Sequence, residues 1–455
     1  MFGKNFSRKK ILLWFVGLLL IVTHTHFLVA ADRPGAVFLM IPPGARALGM
    51  GAAFTGSCND PSSFYYNPGA LAFYDRFGLV ILNQGLPPGI GRLLEQGILV
   101  GSGTIFYGET IHLEPSWLSQ LYLDMRYVYS SYAMPIDGIG NFGLHVTYLN
   151  TGETEVRNFE GILLGTYESY DAAVSLSFGK TFFNRLGIGI TGKYIYSYQV
   201  PAWVWEEMPE LGIEYGGIGT AWAADIGILY RMWGVGIGAS VLNLGTDIRY
   251  TESGSPFRLP LRIRGGISIE PLVTLDSLLQ NRTIEIFGKP IHDIVNVTLN
   301  YDRAYDPQQP DDTWECKGCE FTFLNFFSYR VGKWNIMGNS SGFGFNLRNV
   351  ELDIAKYFGY DTYHVQLTLH AIEPPENIKN NKTLNTWLTV ASAAIAPGGG
   401  QFYKGEGIKA SLFFVPGLYL GNSFLTTDSG TTRDLSLVGL VILYVGAGLE
   451  ALLNN

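Results

Sequence analysis

Charge, cysteine and histidine are all scarce in this chain, and each scarcity excludes something. Only 15% of its 455 residues are charged, and the acidic side chains outnumber the basic ones by 39 to 31, with no basic stripe to meet a phosphate backbone. Nucleic acid is therefore excluded as a partner. Three cysteines, Cys58, Cys316 and Cys319, are too few to frame a disulfide-rich fold or to complete a four-thiolate zinc site. Of the seven histidines, five follow the first 31 residues: His112, His145, His292, His364 and His370. None has a paired nucleophile or a His-x-x-x-His spacing, so no catalytic residue, no metal and no cofactor is expected. His145, His364 and His370 alternate with apolar neighbours, which suits a strand face.

Long apolar runs are confined to the two ends. Arg8, Lys9 and Lys10 precede an unbroken run from Ile11 to Val22, and Val29-Ala30-Ala31 offers small residues at a cleavage position. Residues 1–31 therefore read as a secretory signal, with the mature chain starting at Asp32. Removing Lys4, Arg8, Lys9 and Lys10 leaves 27 basic against 39 acidic side chains, a net charge of −12.

What is abundant is glycine and aromatic residues: 56 Gly, 26 Tyr and 28 Phe favour strands and tight turns over helices. In "FGLHVTY" the residues Phe142, Leu144, Val146 and Tyr148 share one strand face, leaving Gly143, His145 and Thr147 on the other. The same alternation recurs in "YDAAVSLSFG" (170–179), in "WAADIGILYR" (222–231) and from Tyr363 to His370. Thirteen such segments are counted, near 77–84, 121–134, 138–149, 168–180, 186–198, 219–231, 233–248, 260–270, 292–302, 320–330, 341–348, 350–358 and 363–371.

A soluble sandwich shows the same period, so other features decide. Most segments are close to the roughly 9–11 residues that a tilted strand needs to cross a bilayer. Asp124, Arg126, Asp171, Lys193, Asp225, Arg262 and Arg264 fall mid-strand on the small or polar face, where a barrel would have its lumen. Tyrosine and tryptophan gather near strand ends, as in Tyr194, Tyr196, Tyr198, Trp222 and Trp233, where aromatic girdles belong. An antiparallel transmembrane β-barrel is expected over residues 75–371.

Before it lies "IPPGARALGMGAAFTGSCNDPSSFYYNPGALAF", Ile41 to Phe73. Its glycines invite a phosphate-loop reading, but the segment lacks the Gly-Lys-Ser/Thr ending and follows no parallel strand. The string resembles the N-terminal signature of the PorV/PorQ group within the FadL-type outer-membrane barrels. The matching residues are Gly44, Ala45, Arg46, Gly49, Met50, Gly51, Asn59, Asp60, Tyr65, Asn67 and Pro68. "AADIGILYR", "WGVGIGASVLNLGTDIRY" and "PLRIRGGISI" extend the resemblance, which runs from about Phe38 to Ala371. It implies an all-β chain of about fourteen strands, with residues 32–74 folded inside the barrel as a hatch or plug. Gly69 stands where the family usually has Ala. The strand missing from the count of thirteen is expected in the insertion between Gly85 and Gln120, around "GILVGSGTIFYG".

After Ala371 the period is lost. Residues 372–383 read as a polar linker and 384–455 as a short α-helical module of two or three apolar helices. Within it Pro397, Gly398, Gly400, Gln401, Phe402 and Tyr403 resemble the "PGxGQFY" turn of small helical membrane modules on exported bacterial proteins. The run from Leu435 to Leu453 is long enough to span, and a compact bundle beneath the barrel is the alternative.

Cys316 and Cys319 admit half a zinc site, a redox motif or a short disulfide; with no second pair nearby, a loop disulfide is expected. The neighbouring Asp302, Asp306, Asp311, Asp312 and Glu315 lack the glycine and spacing of an EF-hand and are expected in a solvated loop.

Two function classes follow from the resemblance, both placing the chain in a Gram-negative-type outer membrane with membrane lipid as its surroundings. In the first the barrel binds secreted proteins or secretion machinery, as PorV does in type IX secretion. In the second it is an uptake channel for a hydrophobic small-molecule ligand such as a long-chain fatty acid. A purely structural barrel that carries the helical module is a third reading.

Overall fold

The computed structural model describes residues 34–453 except 58–59, 75–76, 84–103, 107–125, 137, 159, 208–215, 252–253, 280–284, 287, 308, 348–349, 358–361, 372–381, 396, 407–408, 411, 414–415, 418–419 and 421–429. The expected signal segment, Asn59, Asp124 and nearly all of the linker lie outside the described residues.

Fourteen antiparallel strands form the wall. They are β1 (Phe77–Asn83), β2 (Arg126–Ile136), β3 (Gly140–Arg157), β4 (Leu163–Phe182), β5 (Leu186–Tyr198), β6 (Ile218–Met232), β7 (Val235–Gly245) and β8 (Arg262–Ile269), then β9 (Val295–Asp306), β10 (Gln309–Phe323), β11 (Phe327–Trp334), β12 (Gly338–Asn346), β13 (Val350–Tyr357) and β14 (Thr362–Ala371). Each pairs with its sequence neighbours, and β1 pairs with both β2 and β14, Leu79 opposite Tyr132 on one side and Leu369 on the other. The sheet is thereby closed and has no free edge in the wall. Most connections are tight at one end, as at Trp233 and Gly234, whose φ of 54° and 74° suit a two-residue hairpin between β6 and β7; the β8–β9 connection at that end is longer. The short-turn end of such a barrel faces the periplasm.

Burial is inverted relative to a soluble protein. Leu176 and Trp222 are 67% and 65% exposed, whereas Thr191, Asp225 and Gln366 are fully buried. The alternation predicted for "FGLHVTY" and "YDAAVSLSFG" places Leu144 opposite Leu176 and Val146 opposite Val174 on the outer face. His145, Thr147, Ser175 and Ser177 are buried on the inner one. Such a surface is stable only where lipid replaces water outside and polar partners are supplied inside.

Two sequence expectations need correction. The stretch 320–330, read as one segment, is the end of β10, a turn, and the start of β11; Leu324 and Asn325 turn the chain with φ of 53° and 51°. The fourteenth wall strand therefore comes from this region, while in the insertion after Gly85 the described residues Thr104–Phe106 form a further short strand paired antiparallel with the start of β14. Likewise "DRAYDPQQPDDTWE" is no solvated loop: it forms the β9–β10 hairpin, and Asp302 and Asp306 are buried.

Short helices complete the chain: α1 (Ala45–Gly49) and α2 (Ser63–Tyr66), joined by 3-10 turns at Val37–Met40 and Pro68–Phe73, then α3 (Ala202–Glu207), α4 (Pro271–Leu279) and α5 (Ile291–Ile294) between strands. After the wall come α6 (Lys382–Ile395), α7 (Gly399–Lys404) and α8 (Gly430–Leu453). Among the described residues no helix is long and apolar enough to cross a membrane.

Candidate functional site

The described residues of 34–74 sit in the lumen. The turn Pro68–Phe73 packs against β3 to β7, and α1 against β11 to β14, so the segment reaches across the barrel. Its aromatics are buried: Phe38, Phe54, Phe64 and Tyr66 are at most 1% exposed. The wall makes room with inward glycines. A Cβ at Gly189 or Gly227 would strike Pro68 and Asn67, one at Gly238 would strike Thr55, and one at Gly318 or Gly332 would strike Met50 and Gly51. Glycine there has a packing cause, close approach of two backbones, which no side chain permits.

The predicted motif residues divide into those that shape the hatch and those that bind it to the wall. Gly44 and Gly51 flank α1 with φ of 94° and 65°, a region L side chains avoid, and Ala45 and Gly49 are buried between hatch and wall. The Gly51 amide donates to Ser340 Oγ at 3.1 Å. Asp60 accepts from the Ser62 amide at 2.6 Å and from Gln366 Nε2 at 2.9 Å. The Tyr65 hydroxyl donates to the Leu39 carbonyl at 2.7 Å. Asn67 accepts from the Gly69 amide at 3.0 Å and donates to the carbonyls of Thr55 and Ile228, at 3.0 and 2.9 Å. Pro68, at the first position of its turn, has no amide proton to leave unsatisfied. One asparagine side chain thus holds its own turn, a second hatch segment and the wall.

Arg46 carries the main ionic contact. It grips Glu320 of β10 with Nε at 3.0 Å and Nη2 at 2.6 Å. Burial works against its charge, but Glu320, Glu351 and Asp60 together keep the guanidinium protonated beyond its ordinary range. Glu320 also accepts from Arg330, which in turn pairs with Asp353 at 2.5 Å, so two cations and two carboxylates alternate across the lumen. Asp302 of β9 accepts from the amides of Phe54 and Thr55, both at 2.8 Å, from the Thr55 hydroxyl at 2.6 Å and from Arg264 at 3.3 Å.

Of the seven residues expected on the lumen face, Asp171, Lys193, Asp225, Arg262 and Arg264 are buried on the inner face, and Asp124 and the Arg126 side chain lie outside the described residues. Arg264 pairs with Asp302 and lies over the Tyr66 ring, 5.0 Å from its centroid. Arg262 stacks on Trp314 at 4.0 Å. Lys193 pairs with Asp225 and bonds Asn243 Oδ1, both at 2.7 Å. Asp171 accepts from Ser197 and from Gln199 Nε2 at 2.9 Å. Arg46 meets neither of these carboxylates but Glu320, a residue the sequence does not single out. Its signal was present, since Glu320, Gly318 and Cys316 share a parity once β10 is recognised as a strand.

The cysteine pair is the other correction. Cys316 and Cys319 are three apart on β10 and so point to opposite faces, the first into the lumen, the second outward. Both thiols are free, and a disulfide between them is excluded by that geometry. Among the described residues no cluster of His, Cys, Asp or Glu is placed to hold a metal.

In the helical module Gly398 turns the chain with φ 84°, and Pro397 and Gly400 are buried against neighbouring helices. Gln401 Nε2 donates to the Ala447 carbonyl at 2.9 Å and to Glu450 at 2.7 Å, and the Tyr403 hydroxyl reaches Asn385 at 3.1 Å. The side chain of Phe402 lies outside the described residues.

A closed wall, an apolar exterior and a polar, filled lumen are now all in place. The chain is an outer-membrane-type β-barrel with its N-terminal segment in the lumen. No family model matches it. No curated protein matches it significantly. Among solved structures it is similar to the Pseudomonas putida toluene transporter TodX, 12% identical with a TM-score of 0.38, over 72% of this chain and 96% of that one. The CymD monoaromatic hydrocarbon channel is 11% identical with a TM-score of 0.36, over 74% and 97%. A Pseudomonas aeruginosa FadL homologue is 10% identical with a TM-score of 0.33, over 72% and 95%. At these scores likeness adds no argument to the strand pairing, which carries the fold by itself.

Proposed function

We propose that this barrel is a conduit of the outer membrane for hydrophobic small molecules, closed at rest by the hatch and opened when the hatch shifts. The supporting observation is how the hatch is held. Its described residues pack the lumen, yet its ties across to the wall include hydrogen bonds and ion pairs, Arg46 to Glu320, Asn67 to Ile228 and Thr55 to Asp302. Contacts of this kind exchange with water and can be released without unfolding the wall. A cavity beside Gly56 and Ser57 is about 10 Å³, room for one water.

A second reading, a binding component of a protein-export apparatus, is supported by the Gly44 to Pro68 motif and its resemblance to the PorV/PorQ group. It needs no opening of the lumen. The two separate in proteoliposomes that contain the purified chain. Entry of a fluorescent fatty acid or of toluene, faster than into empty vesicles and faster still after loosening of the hatch, supports the conduit. Entry at the empty-vesicle rate for every apolar probe, with exported proteins copurifying from the outer membrane, overturns it in favour of the export reading.

A further inference from the structure

We propose that the C-terminal module α6–α8 lies in the same bilayer as the barrel, beside the short-turn end of its wall, with acyl chains covering its apolar outer face. The module packs inside out. Trp387, Leu435, Val438, Val441, Ile442 and Val445 are 52% to 68% exposed, five of them recurring along one broad side of α8. Its interior is small or polar: Thr389, Gln401 and Ala451 are fully buried and Ala447 is 1% exposed. A water-soluble bundle of these sequences would hide the valines and leucines and expose glutamine and threonine. The observed arrangement is that of the barrel wall, where Leu176 faces out and Thr191 faces in.

Several polar groups of the module are satisfied internally or gathered at one edge. Gln401 bonds Ala447 and Glu450, and Lys404 donates to the Ala451 carbonyl, as lipid requires of buried donors. Lys409 bridges Glu406 and Glu450 at 3.2 and 3.1 Å, which marks the edge that meets headgroups and water.

Placement follows from connectivity and contact. Strand β14 ends at Ala371 beside the start of β1, at the short-turn end, and only the residues between Ala371 and Lys382 separate it from α6. Fully extended, that stretch reaches about 35 Å. The helix α7 packs against β14, a strand of the membrane wall, so the module sits against the barrel.

The test uses the full chain in phospholipid vesicles, with a photoreactive benzoylphenylalanine at Trp387 or Ile442, at Leu176 as a barrel reference, and at Lys409 as an edge reference. Illumination should give lipid adducts at Trp387 and Ile442 as it does at Leu176, and lose them at Lys409. Adducts between two copies of the chain, adducts with another segment of the barrel, or no lipid adduct where Leu176 gives one, would each overturn the placement. A nitroxide at Ile442 gives a second reading: quenching by dissolved oxygen that exceeds quenching by a water-soluble nickel chelate is expected, and the reverse order contradicts the proposal.

Discussion

Arg46 and Glu320 lie 274 positions apart in sequence and are joined by two hydrogen bonds, 2.6 and 3.0 Å long, that tie the hatch to the barrel wall. Glu320 is 2% exposed and shares Arg330 with Asp353, so removal of any one charge leaves another buried without its full complement. Loss of one member of a buried pair costs about 3–5 kcal/mol. Arg46→Ala is therefore expected to leave the wall assembled but loosen the hatch, seen as raised single-channel conductance in planar bilayers. Arg46→Ala combined with Glu320→Gln should cost less than the two changes added. Conductance equal to wild type in a folded Arg46→Ala barrel would count against the ionic latch.

Glycine positions give a paired test. At Gly227 a side chain would overlap Asn67 and Pro68, whereas at Gly192, on the outer face, nothing lies within 4 Å. Gly227→Val should displace the hatch and raise conductance or dye permeability. Gly192→Val should be silent. Both proteins must still shift in a heat-modified gel; if they behave alike in conductance, the close approach of hatch and wall is not what seals the lumen.

Val174 faces outward and is 46% exposed. Val174→Arg near the midplane should cost about 2–4 kcal/mol in the denaturation of the reconstituted barrel. Val174→Leu should stay close to wild type. An arginine there that leaves the unfolding midpoint unchanged would argue against a lipid-facing wall at β4.

For the cysteines, peptide mapping without reductant should find Cys316 and Cys319 as free thiols. The half-buried Cys319 should alkylate with a membrane-permeant maleimide in the folded protein, and Cys316, 1% exposed, only after unfolding. A crosslinked Cys316–Cys319 peptide from the folded protein would show that β10 is not a regular strand there.

Deleting residues 32 to 72 should raise conductance more than any single change, because the segment, not one contact, fills the lumen. A folded deletion barrel that conducts like wild type would remove the hatch reading altogether.

What the sequence determined by itself is the two-residue period and its inversion. The parity of Leu144, Val146, Val174 and Leu176 against Thr147, Ser175 and Asp225 is local, a consequence of strand geometry, and it specifies a lipid-facing and a lumen-facing side wherever a strand is recognised. It was unreadable where strands were interrupted by acidic or aromatic turns, as at 306–309 and 324–326, and there the strand count and the cysteine geometry went astray. The partner of Arg46 was settled only by closure of the sheet. A guanidinium must be paired when it is buried, so the sequence demands some carboxylate. Which one depends on where the wall strands stand around the hatch, and that is set by β1 closing against β14, a contact between residues nearly 300 positions apart, such as Phe77 and Ala371. Local period is written in neighbouring residues; lumen contacts depend on the register of every strand pair at once, and only the folded barrel sums them.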